Sequence, residues 1–166
     1  HIFTNDAGSS NYISSQSLNF NKGQRELTSG AFYTMGLTLP LAIGAAVVEP
    51  ESQIIAITGD GSIELNIQEL QTINVNNLNI KIVVINNGGY ASIRDSQDAM
   101  CGGRYTDDEQ ILNFMKIADA FGLDFEIIQD FNDIKPIMKK VMSNNRPTII
   151  EVVCDDSQYM IQPTKE

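Results

Sequence analysis

The sequence predicts an α/β protein built on a parallel sheet, and three patterns indicate this class. Residues 54–58 and 80–85 are apolar, β-branched runs of the kind that form buried strands. Between them, apolar residues recur at helical spacing, at Ile63, Ile67, Leu70 and Ile73. A strand–helix–strand unit closes as a right-handed crossover, so both strands run parallel and end at the same edge of the sheet. Strands and helices alternate along the remaining chain, as in an α/β fold.

The segments ahead of this unit predict a strand followed by two helices. Residues 1–4 predict a first strand, with the polar residues 5–10 at its carboxyl end. Residues 11–30 are polar and predict a short helix and an irregular connection. Residues 41–48 are rich in alanine and predict a helix that packs closely on the sheet, with Pro40 in its first turn.

The segments behind the unit predict a loop and then further helices and strands. Residues 95–109 show no periodicity and predict a loop that orders over a ligand or partner. The acidic residues 107–109 predict the start of a helix, which Gly122 ends. The apolar face of this helix comprises Ile111, Phe114, Met115, Ala118 and Phe121. Residues 125–128 and 148–153 predict the last two strands, with a helix between them.

The composition argues against several classes of protein. With 166 residues, 42% of them hydrophobic, the chain has the length and content of one soluble domain. A net charge of −10 argues against nucleic acid or an anionic membrane as a partner. Cys101 and Cys154 are too few for a disulfide framework or a zinc site, so a cytoplasmic protein is expected.

The ends of the chain and its longest apolar stretch lead to two further expectations. Residues 37–48 contain Pro40 and are too short to span a bilayer, and no signal peptide is visible, so no membrane association is expected. The chain begins at His1 rather than Met, so it is expected to be cut from a longer polypeptide.

Two polar turns follow the strands of the central unit and carry the candidate chemistry. A Gly-Asp-Gly-Ser turn occupies residues 59–62, and Asn86 and Asn87 follow the next strand. Since both strands end at one edge, Asp60 and Asn87 are expected to lie side by side. Carboxylate and amide oxygens suit Mg²⁺ or Ca²⁺, and the helix start after Ser62 favours an anion. The simplest interpretation is a metal-bridged diphosphate, and the alternative is a pair of ordinary surface turns.

The spacing of these turns resembles a known signature. Gly-Asp-Gly at 59–61, followed by Asn-Asn at 86–87, resembles the motif of thiamine-diphosphate-dependent enzymes, and the resemblance covers nearly the whole chain. Motifs similar to the C-terminal pyrophosphate-binding domain of the acetolactate synthase branch occur at residues 34–36, 39–45, 68–72 and 102–105. The resemblance implies a three-layer αβα fold with a mostly parallel, doubly wound sheet. Residues 1–166 would form one thiamine-diphosphate-binding domain, the C-terminal part of a longer chain.

The resemblance also implies which residues bind the metal and the diphosphate. The Asp60 carboxylate, the Asn87 side-chain oxygen and the Gly89 main-chain oxygen would bind Mg²⁺ or Ca²⁺. Contacts with the diphosphate side of the cofactor would come from Gly59, Gly61, Ser62, the N–H groups around Tyr90, Ser9 and Ser10. The two serines stand where the family carries a Gln-His pair.

The same resemblance implies how the cofactor would be bent and activated. Met35 would be the wedge beneath a V-shaped thiamine diphosphate, and the Tyr33 carbonyl would accept from its amino group. The family usually has glycine at Tyr33, so the resemblance leaves the position of this ring unexplained. The activating glutamate belongs, in the family, to an N-terminal pyrimidine-binding domain of the same or a neighbouring chain. This chain would therefore contain no catalytic residue.

The implied function is decarboxylation or carboligation of a 2-oxo acid in a homodimer or homotetramer. Ile93 lies where the family has an apolar residue of the substrate pocket. Ser96 lies where acetolactate synthases have a tryptophan that selects the second 2-oxo acid, which puts acetolactate formation in question. The FAD content cannot be judged from this domain.

Three other functions stay open on the sequence alone. The chain could be one subunit of a two-subunit 2-oxo acid decarboxylase. It could be a non-catalytic module that binds a metal and a diphosphate for assembly or regulation. A nucleotide-binding domain of Rossmann type is disfavoured, because the turn at residues 59–62 lacks the G-x-G-x-x-G spacing.

Overall fold

The computed structural model describes residues 1–105 and 112–155. Within these residues, six strands form one parallel sheet in the order β2-β1-β3-β4-β6-β5. The strands are β1 (Ile2–Asn5), β2 (Arg25–Leu27), β3 (Ile54–Gly59), β4 (Ile80–Asn86), β5 (Asp124–Ile128) and β6 (Thr148–Val153). The order reverses at β1, which has β2 on one side and β3 on the other, so the sheet is doubly wound.

The described helices lie on both faces of the sheet. They are α1 (Ser9–Ser17), α2 (Thr38–Val48), α3 (Asp60–Ile63), α4 (Glu69–Val75), α5 (Ala91–Met100), α6 (Phe114–Phe121) and α7 (Phe131–Met142). Ile149 packs in the main core cluster with residues of α2, α4 and α6, whereas Ile150 packs with Val141 of α7. Consecutive strand residues point to opposite faces, so these two isoleucines place helices on both sides. The predicted three-layer αβα class is therefore confirmed.

The structure agrees with the predicted central unit and refines it. Strands β3 and β4 pair in parallel from Ile54 with Ile80 to Gly59 with Ile85. The helical segment between them is divided into α3, a 3₁₀ turn at Glu64–Asn66, and α4. No helix within residues 1–105 and 112–155 is long and apolar enough to cross a membrane.

Three segments differ from their predictions. The helix expected to start after Ser62 already begins at Asp60, as α3. Residues 95–100 were expected to begin a loop but continue helix α5, whose buried residue is Arg94. An inward-facing arginine leaves no apolar stripe, so the sequence of this helix lacks the helical periodicity of apolar residues. Within the predicted irregular connection, Arg25–Leu27 form the short edge strand β2. The predicted helix start at 107–109, and Ile111, lie outside the described residues.

Lys81 on β4 is buried at the amino edge of the sheet. Its Nζ donates to Asn144 Oδ1 at 3.2 Å and to the Arg146 carbonyl. Burial lowers the pKa of Lys81 from its ordinary value of 10.5 to about 8, although the nearby Asp124 carboxylate opposes this change. The folded chain therefore holds the Lys81 proton less tightly than the unfolded chain does.

The Lys81 ammonium is expected to make stability depend on alkaline pH. Between pH 8 and 10.5 the unfolded chain binds more protons at Lys81, so the free energy of unfolding rises with pH in this window. Relative to a Lys81→Met variant, the gain across the window is up to about 3 kcal/mol. Urea denaturation at a series of pH values measures it. If the stability of Lys81→Met changed with pH in parallel to that of the native protein, the expectation would be wrong.

Candidate functional site

A cavity of about 260 Å³ lies at the carboxyl edge of the sheet. Its walls come from the segments that follow β1, β3 and β4 and from the segment ahead of α2. This is also where the strand order reverses around β1. In open parallel sheets, ligands bind at such a position because the loops on either side diverge and leave a crevice.

Asp60 joins two of these walls. It begins α3 directly after β3, and only 5% of its surface is exposed. Its Oδ1 accepts from the Gly61 N–H at 2.8 Å, and its Oδ2 accepts from the Gly89 N–H at 2.8 Å. Burial raises the pKa of the Asp60 carboxyl, while the backbone N–H groups of Gly89 and Gly61 act in the opposite direction. The turns after β3 and β4 therefore meet at this carboxylate.

The two asparagines after β4 have different surroundings. Asn86 is buried, its Oδ1 accepts from the Gly88 N–H at 3.3 Å, and its Nδ2 donates to Glu151 Oε1 at 2.7 Å. Asn87 lines the cavity. Gly89 also lines it, and the Gly89 carbonyl accepts from the Ala91 N–H at 2.9 Å. Asn86 thus fastens the turn, and Asn87 is presented to the cavity.

The oxygen donors around the cavity suit a hard divalent cation. Among the described residues, no group of three or more His, Cys, Asp or Glu side chains could hold a metal. A metal here would need one carboxylate together with amide and carbonyl oxygens, and Asp60, Asn87 and Gly89 line the same cavity. Mg²⁺ and Ca²⁺ accept such mixed oxygen donors, and Mg²⁺ usually keeps waters and ligand phosphates as its other ligands.

Three helices begin at the cavity. The residues that precede α1, α3 and α5 are Gly8, Gly59 and Tyr90, and all three line the cavity. In these three described helices, no side chain of the preceding residue caps the first turn. First-turn N–H groups generally lack helical partners and carry the positive end of the helix dipole. Two of those here, on Gly61 and Ala91, already bond to Asp60 Oδ1 and to the Gly89 carbonyl. The convergence of the three helix starts favours an anionic ligand such as a phosphate.

The serines around the cavity are in part already engaged. Ser9 Oγ and Ser92 Oγ lie 3.3 Å apart and link the starts of α1 and α5. Ser10 Oγ donates to the Ala7 carbonyl at 3.1 Å. Ser62 Oγ accepts from the Gly36 N–H at 3.0 Å, which leaves the hydroxyl hydrogen of Ser62 for another acceptor.

Two glycines permit close contacts behind the cavity. A Cβ on Gly61 would lie 2.5 Å from a ring carbon of Tyr90, so the Tyr90 ring packs on the bare backbone of Gly61. Gly36 has a φ of 78°, and a Cβ there would lie 2.8 Å from Leu65 Cβ. Asn66 Nδ2 donates to the Gly36 carbonyl at 2.9 Å. The segment carrying Met35 is therefore fastened to the turn after β3.

The predicted wedge and its neighbour both line the cavity. Met35 is 37% exposed, and Tyr33 adopts a left-handed backbone conformation with a φ of 44°. The centre of the Tyr33 ring lies 6.1 Å from that of Tyr12 on α1. The ring that the family resemblance left unexplained thus packs against Tyr12 at one wall of the cavity.

The remaining predicted residues divide into two groups. Ile93 lines the cavity, whereas Ser96 lies outside the lining, where its Oγ donates to the Ser92 carbonyl at 2.9 Å. Sequence reasoning missed Tyr12, Ile85 and Ser92 as lining residues. No spacing or motif marks them, because each reaches the cavity from an element whose placement depends on the whole sheet.

The fold and the cavity define an α/β domain with a candidate ligand site at the carboxyl edge of a parallel sheet. The family model described as "Thiamine pyrophosphate enzyme, C-terminal TPP binding domain" matches residues 6–152. The chain therefore belongs to this family of thiamine pyrophosphate enzymes, as a C-terminal TPP-binding domain.

Several relatives are similar to nearly the whole chain. The acetolactate synthase large subunit of Porphyra purpurea is 34% identical, covering 98% of this chain and 28% of that protein. The acetolactate synthase isozyme 1 large subunit of Escherichia coli (strain K12) is 32% identical, covering 93% of this chain and 28% of that protein. The chloroplastic acetolactate synthase of Arabidopsis thaliana is 28% identical, covering 96% of this chain and 25% of that protein. The chain thus spans 25% to 28% of these relatives' length.

The left-handed backbone conformation of Tyr33 is expected to affect the stability of variants at this position. Tyr33→Gly and Tyr33→Ala both remove the ring, but only glycine adopts this φ without strain. The Gly variant should be more stable than the Ala variant by about 1 kcal/mol in urea denaturation. At the neighbouring Phe32, outside the left-handed region, the order should reverse. Equal stability of the two Tyr33 variants would show that the backbone relaxes.

Proposed function

We propose that the protein containing this chain is a thiamine-diphosphate- and Mg²⁺-dependent enzyme that decarboxylates or ligates a 2-oxo acid. In this proposal, the chain provides the part of the site that holds the metal and the diphosphate. The observation that carries the proposal is the meeting of Asp60, Asn87 and Gly89 at a cavity where three helices begin. The acetolactate synthase names of the relatives support the choice of a 2-oxo acid as the substrate.

The metal would be held by three oxygen atoms of this chain. These are a carboxylate oxygen of Asp60, the side-chain oxygen of Asn87 and the main-chain oxygen of Gly89, which all come from the cavity lining. The buried Asp60 carboxylate and a diphosphate would repel each other in direct contact. A divalent cation between them removes the repulsion, which also makes the net charge of −10 compatible with an anionic cofactor.

The diphosphate would be held by hydroxyl and N–H donors. Ser62 is suited to donate its hydroxyl hydrogen, because its oxygen already accepts from Gly36. Ser9 would contribute its hydroxyl together with Ser92. Ser10 would contribute through its backbone, since its hydroxyl donates to Ala7. The turn at Gly59 and Gly61 and the N–H groups around Tyr90 would complete these contacts.

Met35 and Tyr33 would orient the cofactor between the two ends of the site. Met35 would support the bent cofactor, and the Tyr33 carbonyl would accept from its aminopyrimidine. When bound, thiamine diphosphate supplies the carbon nucleophile and the electron sink that decarboxylation of a 2-oxo acid needs. The contribution of this chain is orientation, which can account for a large part of a rate enhancement.

The groups that activate the cofactor would come from elsewhere in the protein. The cavity of about 260 Å³ is below the roughly 300–1,000 Å³ of most complete ligand sites, as expected for one wall of a shared site. The proposal assigns the activating glutamate to an N-terminal pyrimidine-binding domain of the same or a neighbouring chain, in a homodimer or homotetramer. Ile93 would contact the substrate, and Ser96, further along α5, would stand where acetolactate synthases have the tryptophan that selects the second 2-oxo acid.

Loss of the Asp60 carboxylate is expected to abolish metal-dependent cofactor binding. In the full-length protein, Asp60→Ala should weaken thiamine diphosphate binding by more than about 100-fold. Loss of a residue that only supports a metal ligand usually weakens metal binding by about 10- to 100-fold, and loss of the ligand itself should cost more. Calorimetry with and without Mg²⁺ measures this. Asp124→Ala, which removes a carboxylate paired with Arg146 at the opposite edge, is the control and should bind normally. Unchanged affinity in Asp60→Ala would refute the metal assignment.

Truncation of Met35 is expected to impair turnover more than folding. Met35 is partly exposed, so Met35→Ala should cost less than about 1 kcal/mol of unfolding free energy. Loss of the wedge should lower kcat with a 2-oxo acid by about 100-fold, because small misplacements of reacting groups are costly. Met115→Ala, on α6 outside the cavity lining, should retain full activity. Full activity of Met35→Ala would remove the wedge role.

A further inference from the structure

Arg94 is a buried arginine beside the turn that carries the proposed metal ligands. It lies on α5 and is 3% exposed. Its Nη1 donates to the Gly88 carbonyl at 2.6 Å, and its Nη2 donates to the Asn87 carbonyl at 2.7 Å. One guanidinium therefore binds two successive carbonyls of the turn between β4 and α5.

Arg94 and Asp60 hold the same peptide group from opposite sides. A trans peptide is planar, and its C=O and N–H point in opposite directions. The peptide between Gly88 and Gly89 directs its carbonyl to Arg94 and its N–H to Asp60 Oδ2, at 2.6 Å and 2.8 Å. The preceding peptide directs the Asn87 carbonyl to Arg94 and the Gly88 N–H to Asn86 Oδ1.

The turn needs such external contacts because of its own sequence. Gly88 and Gly89 have φ values of 77° and 106°, which glycine adopts without steric cost but does not hold by itself. Since glycine loses more conformational freedom on folding than any other residue, its neighbours have to maintain the ordered conformation. Arg94 supplies two of these contacts through the rigid fork of its guanidinium.

We propose that Arg94 is a positioning residue for the metal site: it holds the Asn87–Gly89 turn so that the Asn87 side chain and the Gly89 carbonyl face the cation. This inference rests on the proposed function. Mg²⁺ demands near-ideal octahedral geometry, whereas Ca²⁺ accepts irregular arrangements of oxygens. Loss of Arg94 should therefore weaken Mg²⁺ binding more than Ca²⁺ binding.

The test measures the metal requirement of cofactor binding in the full-length protein. Calorimetric titrations of thiamine diphosphate at graded Mg²⁺ or Ca²⁺ concentrations compare the native protein with Arg94→Met and Arg94→Lys. Arg146→Met is the matched control, because it removes a guanidinium that binds Asp124 at the opposite edge of the sheet. Thermal unfolding of each variant without cofactor verifies that it is folded.

The expected result is a selective loss of Mg²⁺ affinity. Arg94→Met should raise the Mg²⁺ concentration for half-maximal binding by about 10- to 100-fold, the usual effect of losing an outer-sphere partner, and the Ca²⁺ concentration by less. Arg94→Lys should lie between, since an ammonium lacks the planar fork. Arg146→Met should match the native protein.

The outcomes separate this inference from the proposed function. If the native protein shows no metal-dependent binding of thiamine diphosphate, the proposed function itself fails. If the native protein binds and folded Arg94→Met has an unchanged Mg²⁺ requirement, or equal losses for Mg²⁺ and Ca²⁺, the positioning role is wrong. If Arg94→Met does not fold, Arg94→Lys decides in the same way.

Discussion

The site depends on one buried carboxylate, that of Asp60. A charged group removed from water is costly unless hydrogen-bond donors face it. Here the N–H groups of Gly61 and Gly89 do so, from the turns after β3 and β4. One side chain therefore binds together two turns that are distant in sequence. The parallel register of β3 with β4 brings both turns to the same edge, so the carboxylate meets donors that the sheet has already aligned.

Apolar packing and polar contacts act at different places in the same fold. Isoleucines of β3 and β4 are fully buried in the main core, which holds the strands together. Two of the three helices that begin at the cavity are held differently, since α1 buries Ser10, Asn11 and Ser14, and α5 buries Arg94. Asn11 Nδ2, for example, donates to the Asp6 carbonyl at 2.9 Å. Hydrogen bonds are directional, so these contacts fix the orientation of a helix start more closely than apolar packing does.

Most of the fold could be predicted, and the failures have physical causes. Buried strands such as β4 are marked by local apolar runs. Because strand–helix–strand units close as right-handed crossovers with parallel strands, these runs also indicate which residues lie at the carboxyl edge of the sheet. Strand β2 escaped notice because three partly exposed residues at a sheet edge carry no apolar pattern. The end of helix α5 has no apolar periodicity, because its buried residue is Arg94. In the site, the contact of Tyr33 with Tyr12 has no local signal either.

Local sequence patterns are enough to establish the class of fold and the edge of the sheet at which the site lies. They also place Asp60 and Asn87 at that edge. These conclusions depend on local patterns and on the right-handed crossover of strand–helix–strand units, so they can be reached without knowing the side-chain contacts. The roles of the residues depend on tertiary contacts: Asn86 bonds to Glu151, Asn87 lines the cavity, and Arg94 binds the turn's carbonyls. These contacts join groups on separate elements, and their directions arise only when the sheet brings those elements together.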